Sequence, residues 1–257
     1  MPVRALTRNP DGADLPADVE VVRGDLTISA SLDHCLRNVE VVFLVWTSGP
    51  DAASETVKEI AKHTHRVVLL SSPHQTPHPF FQQKNPMAAL HAEVERLIDA
   101  SGLRRTTLRP GMFAANVRHW WAPQIRAGDV VRWPYAAART APIHERDIAA
   151  VAVRALVDSR HDGAEYVLTG PQSLTQAEQV AVIGDALGRT LRFDEMTPDE
   201  VRQEWRAPAT VVDMLLRAWE AARGQPALVS NTVEEITGSP ARTFREWVID
   251  HAELFRT

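Results

Sequence analysis

The chain has 257 residues, 44% of them hydrophobic and 24% charged, with a formal charge of −5. This size and balance suit one large α/β domain, or a core with a smaller cap, and leave no basic footprint for nucleic acid. The single cysteine, Cys35, excludes an internal disulfide and a cysteine-based metal cluster, and no run of about 18 apolar residues marks a membrane span. No signal-peptide pattern follows Met1, which points to the cytoplasm.

Residues 3–8 (VRALTR) read as a strand ended by the turn signal Arg8-Asn9-Pro10. Residues 19–22 form a second strand, leading into Gly24-Asp25-Leu26. A short helix over 31–38 would pack Cys35 as a small apolar residue. Residues 39–46 (VEVVFLVW) form a long apolar strand, and 52–62 a helix. Residues 66–72 (RVVLLSS) are the most telling. Val67, Val68, Leu69 and Leu70 leave no polar face, so the strand is expected to be buried on both sides, as in a parallel sheet. It ends in Ser71 and Ser72, where open α/β sheets bind ligands. The alternative is that these hydroxyls only bond loop backbone.

A loop rich in Pro and His follows, and Pro86 opens a helix over 87–100 with Leu90, Val94, Leu97 and Ile98 on one face. Residues 106–108 make the next strand, ending in Arg109-Pro110-Gly111. Beyond it, 114–126, 146–157, 175–187, 198–205, 210–222 and 243–253 are predicted helices. Residues 130–133, 165–168 and 191–194 are predicted strands. The strand–helix alternation predicts a doubly wound parallel α/β sheet with right-handed crossovers. Residues 1–170 form the core, 113–145 contribute to a cap, and 171–257 make the rest of a mostly helical C-terminal substrate cap.

VRALTRNP, VEVVRGDL, VEVVFLVW, VVLLSS, HAEVERLIDASGLRRTTLRPGMFAAN and YVLTGPQSLTQAEQVAVIGDALGR, in this order, resemble the NmrA-like, atypical short-chain dehydrogenase/reductase family. The resemblance implies a Rossmann-like fold and NADP(H) or NAD(H). The family holds quinone and dye reductases as well as non-catalytic redox sensors. By position, Arg8 would form a fork with a ribose 2′-phosphate, favouring NADP(H); the alternative is a solvated turn arginine. Asp25 and Leu26 would sit beside the adenine, and Asp25 alternatively caps a helix. Trp46 and Thr47, with Ser48, would line the ribose and nicotinamide, and Pro110, Gly111 and Phe113 would pass the nicotinamide, with Asn116 further on.

Two departures stand out. The family opens with a strand, a glycine-rich turn and a helix, about 25 residues of a βαβ unit. No GxGxxG or GxxGxxG occurs here, so the sequence reads as N-terminally truncated relative to the family. The missing strand would be central, leaving two unpaired interior edges. Three explanations stay open: a longer natural chain, direct pairing of the flanking strands, or a strand supplied by another chain. The second departure is chemical. The Tyr-x-x-x-Lys pair is replaced by Met87-Ala88-Ala89-Leu90-His91, so Met87 stands where a proton donor is expected. His91 can hydrogen-bond a ribose or substrate, or be an ordinary half-exposed helix histidine.

Ten histidines invite a metal reading, with His63 and His65 two apart and His74 and His78 four apart in a Pro-rich loop that cannot be a regular helix, but no HExxH occurs and no metal is expected. His144, Glu145 and Asp147 read as a helix start. His74, with Ser71 or Ser72, makes a candidate acid/base pair. Trp120 and Trp121 cannot face the same way on one helix. No GxSxG or GxxxxGK[ST] is present.

The sequence thus predicts an NADP(H)-dependent reductase of a flat, electrophilic small molecule such as a quinone or imine. Ser71, Ser72, His74 and His91 are the catalytic candidates. A non-catalytic redox sensor and a cofactor-free acid/base enzyme are the alternatives. A small-molecule substrate is the expected partner, without nucleic acid or membrane, and a homo-oligomer stays open.

Overall fold

The structure, a computed structural model, describes residues 2–256. It divides into two compact units built from interleaved segments. Unit 1 is Met1–Ser71, Pro86–Thr107 and Ala155–Glu165, and unit 2 is Ser72–Asn85, Leu108–Arg154 and Tyr166–Thr257.

In unit 1, β1 (Val3–Thr7) and β2 (Val19–Arg23) pair in parallel, Val3 opposite Val19. Then come α1 (Asp33–Leu36), β3 (Val42–Val45), α2 (Ala53–His63), β4 (Arg66–Leu70), α3 (Pro86–Ser101) and the first part of β5 (Arg104–Pro110). The apolar run of β4 is buried as its composition requires: Val67, Val68 and Leu69 are each 1% exposed. Leu44, Val57, Ile60, Leu69, Val94 and Ile98 share one core. The three- and four-residue spacings on α2 and α3 put their apolar faces on it. Each such side chain contributes about 1.5–3 kcal/mol by burial.

β1 pairs with β2 and not with β3, and the two form a ladder of their own. This removes the explanation in which the flanking strands pair directly. Arg4 ties the ladder to α1: its Nη1 donates to the carbonyls of Cys35 and Arg37, each at 2.9 Å, and its Nε to Glu20 at 2.7 Å. Cys35 is buried in α1, and burial raises its thiol pKa.

Unit 2 holds α4 (Val117–Trp120), α5 (Ala122–Ala127), β6 (Val130–Pro134), β7 (Arg139–Thr140) and most of α6 (Glu145–Val157). It continues with most of β8 (Glu165–Leu168), β9 (Leu174–Thr175), α7 (Gln176–Leu187) and β10 (Arg192–Met196). The chain ends in α8 (Pro198–Glu204), α9 (Ala209–Ala221), α10 (Thr232–Thr237) and α11 (Phe244–Asp250). The helix expected over 114–126 is broken into a 3-10 turn, α4 and α5. Pro123 is the reason: it has no N–H to continue a helix and its ring clashes with the preceding turn. Trp133 centres an aromatic core, 4.4 Å from Trp205, 5.3 Å from Trp219 and 5.5 Å from Trp120 between ring centres. Trp121 is 1% exposed, so these indoles serve mainly as core. β10 pairs in parallel with β6, and the main sheet runs in the order β3-β4-β5-β8. Parallel sheets flanked by helices make this a Rossmann-like fold. No helix among the described residues is long and apolar enough to cross a membrane.

Candidate functional site

Ser71 follows β4 in unit 1 and is buried. Its hydroxyl donates in a short hydrogen bond to Glu95 Oε1 on α3. The other oxygen of Glu95 lies 3.6 Å from Arg105, which also pairs with Asp99 at 2.9 Å and Glu165 at 3.4 Å. Ser71 is therefore held by a buried carboxylate inside an ion network. Glu95 was not anticipated in the sequence, although it stands four residues after His91 on α3, one helical turn along. His91 is half-buried, and Met87 is exposed at the first turn of α3.

The remaining unit 1 candidates lie at the ends of β1, β2 and β3. Arg8, just past β1, is exposed, and its guanidinium makes no hydrogen bond among the described residues. Asp25, past β2, accepts from Thr27 N at 2.8 Å and Thr27 Oγ1 at 2.7 Å. These bonds hold its carboxyl below the usual range, and the charge of Arg8 adds to the effect. Leu26 packs on the unit 1 core. Trp46 is 3% exposed in that core, and its indole Nε1 is buried without a partner among the described residues. Thr47 is exposed.

His63 lies 3.4 Å from both Asp33 and Glu59, the one cluster of three ligating side chains among the described residues. Arg37 and Lys62 pair with the outer oxygens of the two carboxylates, so the cluster reads as a surface ion network.

In unit 2, Ser72 and His74 meet. His74 Nδ1 is 3.3 Å from Ser72 Oγ and 3.1 Å from the Ser72 carbonyl. Its Nε2 is buried and has no partner among the described residues. Gly111, just past β5, donates its N–H to Leu168 O at 2.9 Å. Pro110 is buried, and Phe113 bridges to Ile143. Asn116 donates to Met112 Sδ at 3.0 Å. The helix start at α6 is structural: His144 and Asp147 are buried, Asp147 accepts from Arg242 N at 2.8 Å, and Glu145 accepts from Trp247 Nε1 at 2.8 Å.

A cleft in unit 2 is lined by Phe81, Gly111, Met112, Arg139, Thr169 and Leu228, among others. Gly111 and Thr169 follow β5 and β8, so the cleft opens at the carboxyl ends of two strands of the main sheet. Two close approaches shape it. A Cβ on Gly170 would lie 2.0 Å from Pro142 O, and one on Gly111 would lie 3.4 Å from the Phe81 ring. His78, Phe80 and Phe81 form an aromatic cluster over this wall. The loop that carries them begins at Ser72 and His74. Sequence reasoning did not reach Phe81, Arg139 or Thr169, since their neighbours in the cleft are remote in the chain.

The donor chemistry of unit 1 fits the adenosine half of a dinucleotide. An unengaged guanidinium suits a ribose phosphate, the Asp25 carboxylate an exocyclic amine, and the orphaned Trp46 N–H a ribose oxygen. A glycine-rich pyrophosphate cradle does not occur within residues 1–257.

Comparisons with known proteins agree with this geometry. Residues 1–159 match a family described as NAD(P)H-binding. The chain is 37% identical to the (4-alkanoyl-5-oxo-2,5-dihydrofuran-3-yl)methyl phosphate reductase of Streptomyces griseus, over 99% of this chain and 91% of that protein. It is 31% identical to the NAD(P)H azoreductase of Xenophilus azovorans, over 99% and 91%. The Citrobacter sp. triphenylmethane reductase complexed with NADP(H) superposes with a TM-score of 0.79 at 16% identity, covering 97% of this chain and 90% of that one. These similarities favour the reductase over the sensor and cofactor-free alternatives. The chain belongs to the NmrA-like NAD(P)H-binding family and is an NAD(P)H-dependent oxidoreductase.

Proposed function

We propose that this protein reduces a flat, electrophilic small molecule such as a quinone or imine, with NADPH as the preferred donor. The observation that carries the reading is the unit 2 cleft. It opens at the carboxyl ends of β5 and β8, where α/β sheets bind ligands, and aromatic rings line it. The two relatives, a (dihydrofuranyl)methyl phosphate reductase and an azoreductase, support reduction of a conjugated electrophile. We place the reaction in the cytoplasm, with residues 171–257 contributing most of the substrate cap.

NADPH, when bound, supplies the hydride. Arg8 would hold its 2′-phosphate, Asp25 and Leu26 its adenine, and Trp46 and Thr47 its ribose. Pro110, Gly111 and Phe113 would flank the nicotinamide. Reduction also requires a proton. As an imidazolium, His74 donates Nδ1–H to the Ser72 carbonyl, 3.1 Å away, and carries a second proton on Nε2, the nitrogen with no partner among the described residues. His74 is therefore our proton donor, and Ser72 holds its ring. Ser71 stays with Glu95 as a positioning group, and His91 is the reserve donor on α3.

NADPH consumption with a series of quinones and imines tests this. We expect turnover faster with NADPH than with NADH, lowered roughly 10²-fold in His74→Ala, the scale of a lost general acid. Wild-type rates in His74→Ala would remove His74 from the mechanism. No consumption with any acceptor would remove the proposed substrate class.

A further inference from the structure

The cleft of unit 2 has a polarity that the proposed chemistry does not require. Its walls are largely apolar, through Phe80, Phe81, Met112 and Leu228. The other ionisable side chain on it, His78, has both ring nitrogens engaged: Nε2 lies 3.1 Å from Pro226 O, and Nδ1 accepts from Phe80 N at 3.3 Å. A ring with one donor and one acceptor nitrogen is neutral. That leaves Arg139 as the cleft's fixed charge.

Arg139 is held from one side. Its backbone N–H donates to Ala222 O at 3.2 Å, and its residue pairs across the antiparallel β7–β9 ladder with Thr175. Its Nη1 donates to Ser173 O at 3.0 Å and to Glu178 Oε2 at 3.2 Å. Nε and Nη2 make no hydrogen bond among the described residues. Those two nitrogens form the edge of a guanidinium that matches the two oxygens of a phosphate or carboxylate. Glu178 does not close that edge, because the same Oε2 accepts from Thr175 N at 2.7 Å in the capping box of α7.

We propose that the cleft selects substrates bearing an oxyanion, with Arg139 as the residue that grips it and the aromatic wall holding the ring. The inference rests on the cleft being the substrate site. Arg139 keeps two donors beyond its pair with Glu178, and a charge-assisted hydrogen bond beside apolar walls is stronger than the same bond in open water.

Calorimetry on the full chain without NADPH separates this from the reductase reading. The ligands are benzyl phosphate, benzoate and benzyl alcohol. We expect saturable binding of at least one anion, roughly tenfold or more tighter than the alcohol, the scale of a charge-assisted hydrogen bond. Whichever anion binds tighter identifies the oxyanion. Arg139→Gln should bring the anion down to the level of the alcohol, and Arg139→Lys should fall between. Glu178→Gln keeps Arg139 and removes the competing carboxylate, so it should tighten anion binding. Equal affinity for anion and alcohol, or unchanged anion binding in Arg139→Gln, overturns the proposal. So does weakened anion binding in Glu178→Gln, which also serves if Arg139→Gln does not fold. Anion binding that survives alongside an absence of any turnover would sink the reductase reading and leave the oxyanion subsite standing.

Discussion

Ser71 and Ser72 are neighbours in the chain, yet their environments assign them opposite work. Ser71 is buried and donates to a buried carboxylate, whereas Ser72 is half-exposed and meets an imidazole. Replacing Ser71 by Ala removes a hydrogen bond to a buried carboxylate, a loss of about 1–3 kcal/mol for a bond to a charged group. Chemical denaturation should show that loss. Ser72→Ala should do the reverse, keeping stability within about 0.5 kcal/mol while lowering turnover, as for surface substitutions generally. A stability loss in Ser72→Ala with unaltered turnover would contradict this division. The Ser-Ser end of a buried strand was legible in the sequence. The choice between the two hydroxyls was not, because it depends on Glu95 and Arg105, which only folding brings near. Arg8 is a simpler case. Arg8→Ala should raise KM for NADPH roughly tenfold, about 1.5 kcal/mol for a lost charge-assisted contact, and leave KM for NADH nearly unchanged.

Elements declare themselves by local chemistry where they have it. Three helices begin with Thr-x-x-Glu boxes, at Thr175, Thr197 and Thr243, each with both reciprocal hydrogen bonds formed. Thr243→Ala should lower stability by about 1 kcal/mol, measurable by thermal unfolding. The 3-10 turn Ser159–His161 is capped by Asp158, whose carboxylate is hydrogen-bonded by Arg160 and held at about 2, well below 3.8. A depressed carboxyl stabilises the fold above its unfolded pKa and loses that contribution as pH falls through its folded one. An NMR titration should therefore place the Asp158 midpoint near 2, and its share of stability should fade between about pH 4 and pH 2. A midpoint near 3.8 would show that the cap does not form in solution. Strands β7 and β9, two residues each, carry no periodicity and were not legible. The break at Pro123 was written in the sequence, and the continuous helix expected over 114–126 overlooked it.

At the scale of the molecule, the alternation of strand and helix up to β5 was enough to predict a parallel α/β fold, and it is what the chain forms. The interleaving of the two units was not visible, since Ser72–Asn85 joins unit 2 while both its flanks belong to unit 1. Nor was the cleft, whose wall depends on backbone approach: Gly170 leaves no room for a methyl group against Pro142. Gly170→Ala should displace that wall and weaken substrate binding without altering NADPH affinity. β1 and β2 form a ladder of their own, apart from the sheet β3-β4-β5-β8, which the strand–helix alternation did not reveal. Arg8 and Asp25 nonetheless lie at the ends of that ladder with the chemistry to hold an adenosine phosphate.

Titration of this 257-residue chain with NADPH and NADH, followed by tryptophan fluorescence, asks whether it holds the cofactor at all. We expect saturable binding, tighter for NADPH, with the preference lost in Arg8→Ala. No binding of either nucleotide up to millimolar concentration would contradict it.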